Sequence, residues 1–196
     1  MATTLLKLER DIMAQEDVKA AVIKSIETVK ANPAAAKIFF KATTELVEDV
    51  RCSAQIRSFS PMIIDDRPEL GGKNAGPNPV ELLLVALGTC QEIMYSAYAS
   101  VMGIHLDSVK VDLKGDIDLN GMLGLDENTP AGFTKITFKT NIESNADEET
   151  LMNLIEAVEK HCPVMDTILR EITISGSAAV NGKELFRSET KKVGVK

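Results

Sequence analysis

The sequence predicts a chain of mixed helices and strands organised around one apolar central helix. Three patterns carry this reading. Apolar residues recur at helical spacing over residues 18–29 and 151–158, they alternate with polar ones between residues 40 and 56, and residues 82–87 are apolar on every side. At 196 residues and 44% hydrophobic content, the chain suits one compact domain with an appendage and can build a real core.

The first element is an amphipathic helix. Val18, Val22, Ile26 and Val29 share one face among Lys and Glu, and the helix is expected to stop near Asn32-Pro33, because the residue before proline is pushed out of the α region. A period of two follows. Phe40, Ala42, Thr44 and Leu46 alternate with Lys41, Thr43 and Glu45, and after a turn at Glu48-Asp49, Val50, Cys52, Ala54 and Ile56 alternate with Arg51, Ser53, Gln55 and Arg57. The two segments read as a β-hairpin. Residues 65–79 hold three glycines and three prolines, which predicts irregular backbone at the surface.

That stretch leads into the central helix. Asn78 suits its N-cap, Pro79 its first position, and Glu81 the place from which a capping-box carboxylate reaches back. An all-round apolar run from Leu82 to Leu87 predicts a helix wrapped by protein, with Cys90 well buried. Three later strands are marked by Val109, Val111 and Leu113, by Ile136, Phe138 and Ile142, and by Ile172 and Ile174. Between the last two, Leu151, Leu154, Ile155 and Val158 form a helical stripe that extends to Cys162, where Pro163 ends the turn. Both Cys90 and Cys162 are thus expected to face inward from helices.

Composition narrows the function. No apolar run reads as a membrane span, and the first residues lack a charged-then-apolar leader with a small-residue cleavage site, so a cytoplasmic address and no membrane partner are expected. A net charge of −7 disfavours nucleic acid, which selects a basic face, and leaves a small-molecule substrate. Three cysteines without a secretion signal argue for reduced thiols, some of them reactive. Cys90 and Cys162 are the candidate redox couple, with packing in a core as the plainer reading. Cys52, on the apolar face of its strand, reads as packing. Arg51 and Arg57 are solvated strand residues unless one of them reaches Cys90. His161 and His105 suit capping at helix ends, and Met62, Met94, Met102, Met122 and Met165 fill gaps or line a pocket. A metal site from Cys90, Cys162 and His161 lacks the close ligand spacing of structural zinc.

The run from Leu70-Gly-Gly through Gly76-Pro-Asn-Pro-Val-Glu-Leu-Leu-Leu-Val-Ala-Leu-Gly-Thr-Cys90, with Cys162-Pro163 closing a later helix, resembles the OsmC/Ohr family of osmotically induced and organic-hydroperoxide-resistance proteins. Asp65-Asp66-Arg67-Pro68-Glu69 and Gly121-Met-Leu-Gly124 are similar to flanking segments of that family. The resemblance covers residues 38–178, leaving 1–37 as an added N-terminal helix and 179–196 as a C-terminal tail. It implies an α+β fold with antiparallel sheets around two long central helices and an intertwined homodimer that brings the cysteines near its interface. It also implies a thiol-dependent peroxidase without cofactor or metal. Cys90 would attack a small-molecule hydroperoxide and become a sulfenic acid, Cys162 would condense with it, and a dithiol reductant would reset the pair. In the family an arginine of the first hairpin, here Arg51 or Arg57, activates the thiol and is held by a Glu near the start of the cysteine helix. Val80 stands at that position. Glu81 is nine residues before Cys90 and falls on the opposite side of the helix, so capping suits it better. The alternative is a non-catalytic OsmC-fold protein that binds a small apolar ligand.

Overall fold

The computed structural model describes residues 2–189, beginning with helix α1, Ala2–Ala31. Helix α1 ends where Asn32 turns extended (φ −137°, ψ 92°) ahead of Pro33. It packs along the central helix, and the Gln15 side-chain amide donates to the Ile104 carbonyl at 2.7 Å. Of the sequence's apolar stripe, Val18 and Val22 are half-buried, whereas Ile26 and Val29 are exposed.

Strands β1, Thr43–Glu48, and β2, Arg51–Gln55, form the expected hairpin, and Asp49 takes the left-handed conformation (φ 47°) in its turn. The first strand is shorter than its alternation predicts. Ile38, Phe39 and Phe40 lie outside it and are exposed; among the described residues the strands of this sheet pack mainly on one another. A third strand, β3, Met62–Ile64, adds to β2 in the register Cys52↔Ile64 and Ala54↔Met62.

Helix α2, Pro79–Met102, begins with the full capping box. The Glu81 amide donates to Asn78 Oδ1 at 2.9 Å and the Asn78 amide donates to Glu81 Oε2 at 2.8 Å. Gly103 closes the helix in the left-handed conformation that glycine adopts without strain (φ 71°). Asn78→Ala removes a nearly buried cap (6% exposed) and is expected to cost about 1 kcal/mol in urea unfolding, with Asn78→Ser close to neutral.

Strand β4, Ser108–Ile117, and strand β5, Phe133–Glu143, form a long antiparallel pair joined through the single-turn helix α3, Leu119–Met122. Helix α2 lies against β4 at Gly88, where a Cβ would sit 2.6 Å from Leu113 Cδ1. On another face of α2 packs α4, Glu148–His161, capped by Asp147, whose Oδ1 accepts from the Thr150 amide at 2.9 Å. Tyr95, Ala99 and Ile104 meet Leu154 and Val158 in the core, flanked by Val109 and Ile142 of the β pair. Helix α5, Pro163–Leu169, follows at once, and strands β6, Ser175–Val180, and β7, Lys183–Glu189, are the last described elements.

Three expectations are corrected. Helix α2 is not wrapped on all sides: Leu83 and Ile93 are 40% and 67% exposed, because α1, β4, α4 and α5 leave one face of it open within the chain. By length and composition alone this helix could cross a membrane, since averaging its leucines against few charges reaches the required hydropathy; in this fold it is the helix the core is built on. Ile172 and Ile174 precede β6 instead of forming a strand, and the segment read as a tail from residue 179 contains the end of β6 and all of β7.

Candidate active site

Two local features bring Cys90 and Cys162 together. Cys90 is carried three turns past the start of α2. Cys162 sits between α4 and α5 and belongs to neither, with φ −69° and ψ 113°, because Pro163 forbids it the helical conformation. Its amide still donates to the Val158 carbonyl at 2.9 Å, and its carbonyl accepts from the Asp166 amide at 3.0 Å, so the kink is tied on both sides. The Cys162 thiol lies 3.3 Å from Cys90 Sγ. A disulfide measures about 2.05 Å between its sulfurs, so these free thiols are within a small closing motion of a bond.

The two sulfurs differ in access. Cys162 is fully buried, at 0% exposure. Cys90, expected to be well buried, is only half-buried, since it lies on the side of α2 that the chain leaves open. Burial is the main influence on Cys90 and raises its pKa above the ordinary thiol value. A hydrogen bond from the Val164 amide opposes that rise, and the neighbouring Cys162 adds to it. Of the two sulfurs, Cys90 is therefore the one that solvent reaches.

The other sequence candidates lie elsewhere. Arg51 pairs with Glu48 (Nη1 to Oε2, 2.9 Å) and its Nε stands 3.9 Å from Asp65 Oδ2. Arg57 has a left-handed backbone (φ 49°) and holds its guanidinium 4.5 Å from the centre of the Phe59 ring. Glu81 is engaged in the capping box. Among the described residues the resolved influences on Cys90 include no guanidinium. His161 Nδ1–H donates to the Ala157 carbonyl at 2.8 Å, and its ring stacks on Tyr98 with centroids 5.7 Å apart. Cys52 is half-buried in the middle strand of its sheet, between Leu46 and Ile64.

Asp65 is the residue that sequence reading missed. Only 2% exposed, it accepts from the amides of Asp66, Lys73 and Ala75 at 2.9, 3.1 and 3.0 Å, and so folds the loop 65–78 around one carboxylate. The Ala75 amide is the leading cause of its lowered pKa, helped by the other two amides and Arg51 against burial. An aspartate opening a glycine- and proline-rich stretch was the available signal, since Asp accepts readily from nearby backbone amides. The loop it organises delivers Asn78 to the start of α2.

The family model described as OsmC-like protein matches residues 71–176, which include both cysteines and every element that holds them. The chain belongs to the OsmC-like protein family. Within it, a hydroperoxide reductase of Mycoplasma genitalium is 26% identical over 129 residues, spanning 66% of this chain and 86% of that protein. The structure is similar to an OsmC-like protein from Mycoplasma pneumoniae, with a TM-score of 0.59, 23% identity, and coverage of 68% of this chain and 89% of that one. An organic hydroperoxide resistance protein from Elizabethkingia anophelis gives a TM-score of 0.50 at 19% identity, covering 66% and 89%. The mixed helix-and-sheet architecture is the α+β OsmC fold.

Proposed function

We propose that this OsmC-like protein is a cofactor-free thiol peroxidase that reduces organic hydroperoxides and works as a homodimer in the cytoplasm. One observation carries the reading: a reachable Cys90 with a fully buried thiol, Cys162, 3.3 Å behind it. The relative called a hydroperoxide reductase supports the choice of oxidant. The Cys90 thiolate attacks the O–O bond and takes one oxygen, becoming a sulfenic acid, while the alcohol leaves with a proton. Cys162 then attacks the Cys90 sulfur, the S–S bond forms, and the hydroxyl leaves as water with the Cys162 proton. An external dithiol returns both thiols by exchange and departs as its own disulfide.

The open side of α2 supports the dimer. Leu83 and Ile93 lie on the Cys90 side of the helix, exposed, and a second copy covering them would also shield the thiol from water. Within one chain the Val164 amide is the group that favours the thiolate. Arg51 and Arg57 remain candidates for that role across the dimer, and Glu81 holds the helix start. Treating the reduced protein with one equivalent of cumene hydroperoxide is expected to remove about 2 Da, the two thiol hydrogens, with dithiothreitol restoring the mass. That no guanidinium acts on Cys90 among the described residues favours one other reading, a binding protein for a small apolar ligand. If the thiols survive while a generic thiol is consumed, the peroxidase proposal fails and that second reading takes its place.

A further inference from the structure

Cys162 occupies a hinge. Pro163 breaks the chain between two helices there, and beyond the two main-chain bonds that tie the kink, the position of the sulfur depends on what fixes its neighbours. His161, the last residue of α4, is fixed from two directions. Its Nδ1–H donates to the Ala157 carbonyl, and the face of its ring lies on Tyr98 of α2 with an interplanar angle of 24°. Residues 161 and 162 point apart, so adjacent side chains grip the same helix at separate places, His161 at Tyr98 and Cys162 at Cys90. The stack is half in solvent, since His161 is exposed and Tyr98 half-buried, and Tyr98 packs against the rim of the core cluster that holds Tyr95, Ala99, Leu154 and Val158.

We infer that the Tyr98–His161 stack is a positioning clamp that sets how readily Cys90 and Cys162 close into a disulfide. The inference rests on reading these cysteines as a redox couple. His161 and Tyr98 are positioning residues that act through the main chain at the hinge. Removing the ring releases residue 161, the buried thiol samples more of its hinge, and its effective concentration toward Cys90 falls. An aromatic pair supplies about a threefold to tenfold effect, and tenfold corresponds to about 30 mV for a two-electron couple.

The test equilibrates the full chain in glutathione redox buffers, quenches with acid, and reads the Cys90–Cys162 disulfide by peptide mass, with no peroxide present. His161→Ala and Tyr98→Leu are each expected to raise the midpoint potential by up to about 30 mV, and their combination no further, because both break one contact. His161→Phe, which keeps a ring that can stack, is expected to stay within about twofold of the parent. Unchanged potentials in the alanine and leucine variants overturn the clamp. A phenylalanine variant as impaired as alanine also overturns it, since the ring contact is then not the cause. A parent that forms no Cys90–Cys162 disulfide in any buffer sinks the redox couple itself, a separate result from any difference among variants.

Discussion

Cys90→Ser is expected to abolish peroxide consumption by the reduced protein, leaving only the rate of the buffer control. Serine keeps the shape of the site but removes the reachable sulfur of the pair, whose other member, Cys162, is fully buried; Cys52, also half-buried, lies apart in the hairpin sheet. Cys162→Ser has a different expected outcome. The first oxidation proceeds, the sulfenic acid finds no thiol, and excess peroxide adds about 32 or 48 Da as sulfinic or sulfonic acid. Stopped-flow consumption of cumene hydroperoxide paired with intact mass reads both variants. The pH profile of the parent follows from the environment of Cys90. Burial outweighs the Val164 amide and raises its pKa, so the thiolate fraction keeps growing through the ordinary thiol range of about 8.5. In a single chain the rate should still be climbing there. A plateau reached near neutral pH means that a cation from a second copy has overturned that balance, which is the role left open for Arg51 or Arg57. Unaltered consumption by Cys90→Ser would falsify the assignment of the peroxidatic thiol.

What the sequence revealed of this site divides by distance along the chain. The start of α2 was legible because its cap is local, with Asn78 and Glu81 bonded to each other across three positions. So was the break after α4, since Pro163 acts on its immediate neighbour. The closeness of the two sulfurs is set by how α4 packs on α2 through Leu154, Val158, Tyr95 and Ala99, and no local pattern encodes that packing. The two cysteines stood out as a candidate couple, and the family resemblance is what turned that candidate into an expected pairing. The same locality explains the errors. An apolar run such as Leu82–Leu87 does not tell burial within one chain from burial against a partner, and α2 is open on the side of Leu83 and Ile93. Strand β6 was missed because Ser175-Gly-Ser-Ala-Ala carries little apolar alternation. Its partner could have been found from Asn181-Gly182, which turns the hairpin with both residues at positive φ, 52° and 79°. Arg51 showed its charge and its strand face, and its closer partner, Glu48, lies three residues away; the buried carboxylate it also faces, Asp65, emerges only from the fold of a loop fourteen residues on, by 65 − 51.

That loop makes the second large prediction. Gly72→Ala is expected to destabilise the fold by about 3 kcal/mol in urea unfolding, at the upper end of overpacking effects. A Cβ on Gly72 would lie 1.9 Å from the Asp66 carbonyl oxygen and 2.3 Å from its carbon, both backbone atoms, so no side-chain rotation relieves the clash. Nor can the backbone easily withdraw. The Gly72 amide donates to the Arg67 carbonyl at 3.0 Å, the Asn74 amide donates to that same Asp66 oxygen at 3.0 Å, and Lys73 and Ala75 on either side of Asn74 are held by Asp65. Moving one strand of this loop breaks bonds to a buried carboxylate. Gly132→Ala is the control, because its Cβ would meet nothing within 4 Å and its φ is not in the left-handed region. It should be neutral or slightly stabilising. The pH dependence follows from Asp65. Its pKa is lowered in the fold, so its stabilising contribution is complete above the ordinary carboxylate range and fades as pH falls through the lowered value. Gly72→Ala, by loosening the amides that lower it, should unfold at a higher pH than the parent during acid titration. A variant with parental urea and acid midpoints would show that the loop yields more easily than its hydrogen bonds imply.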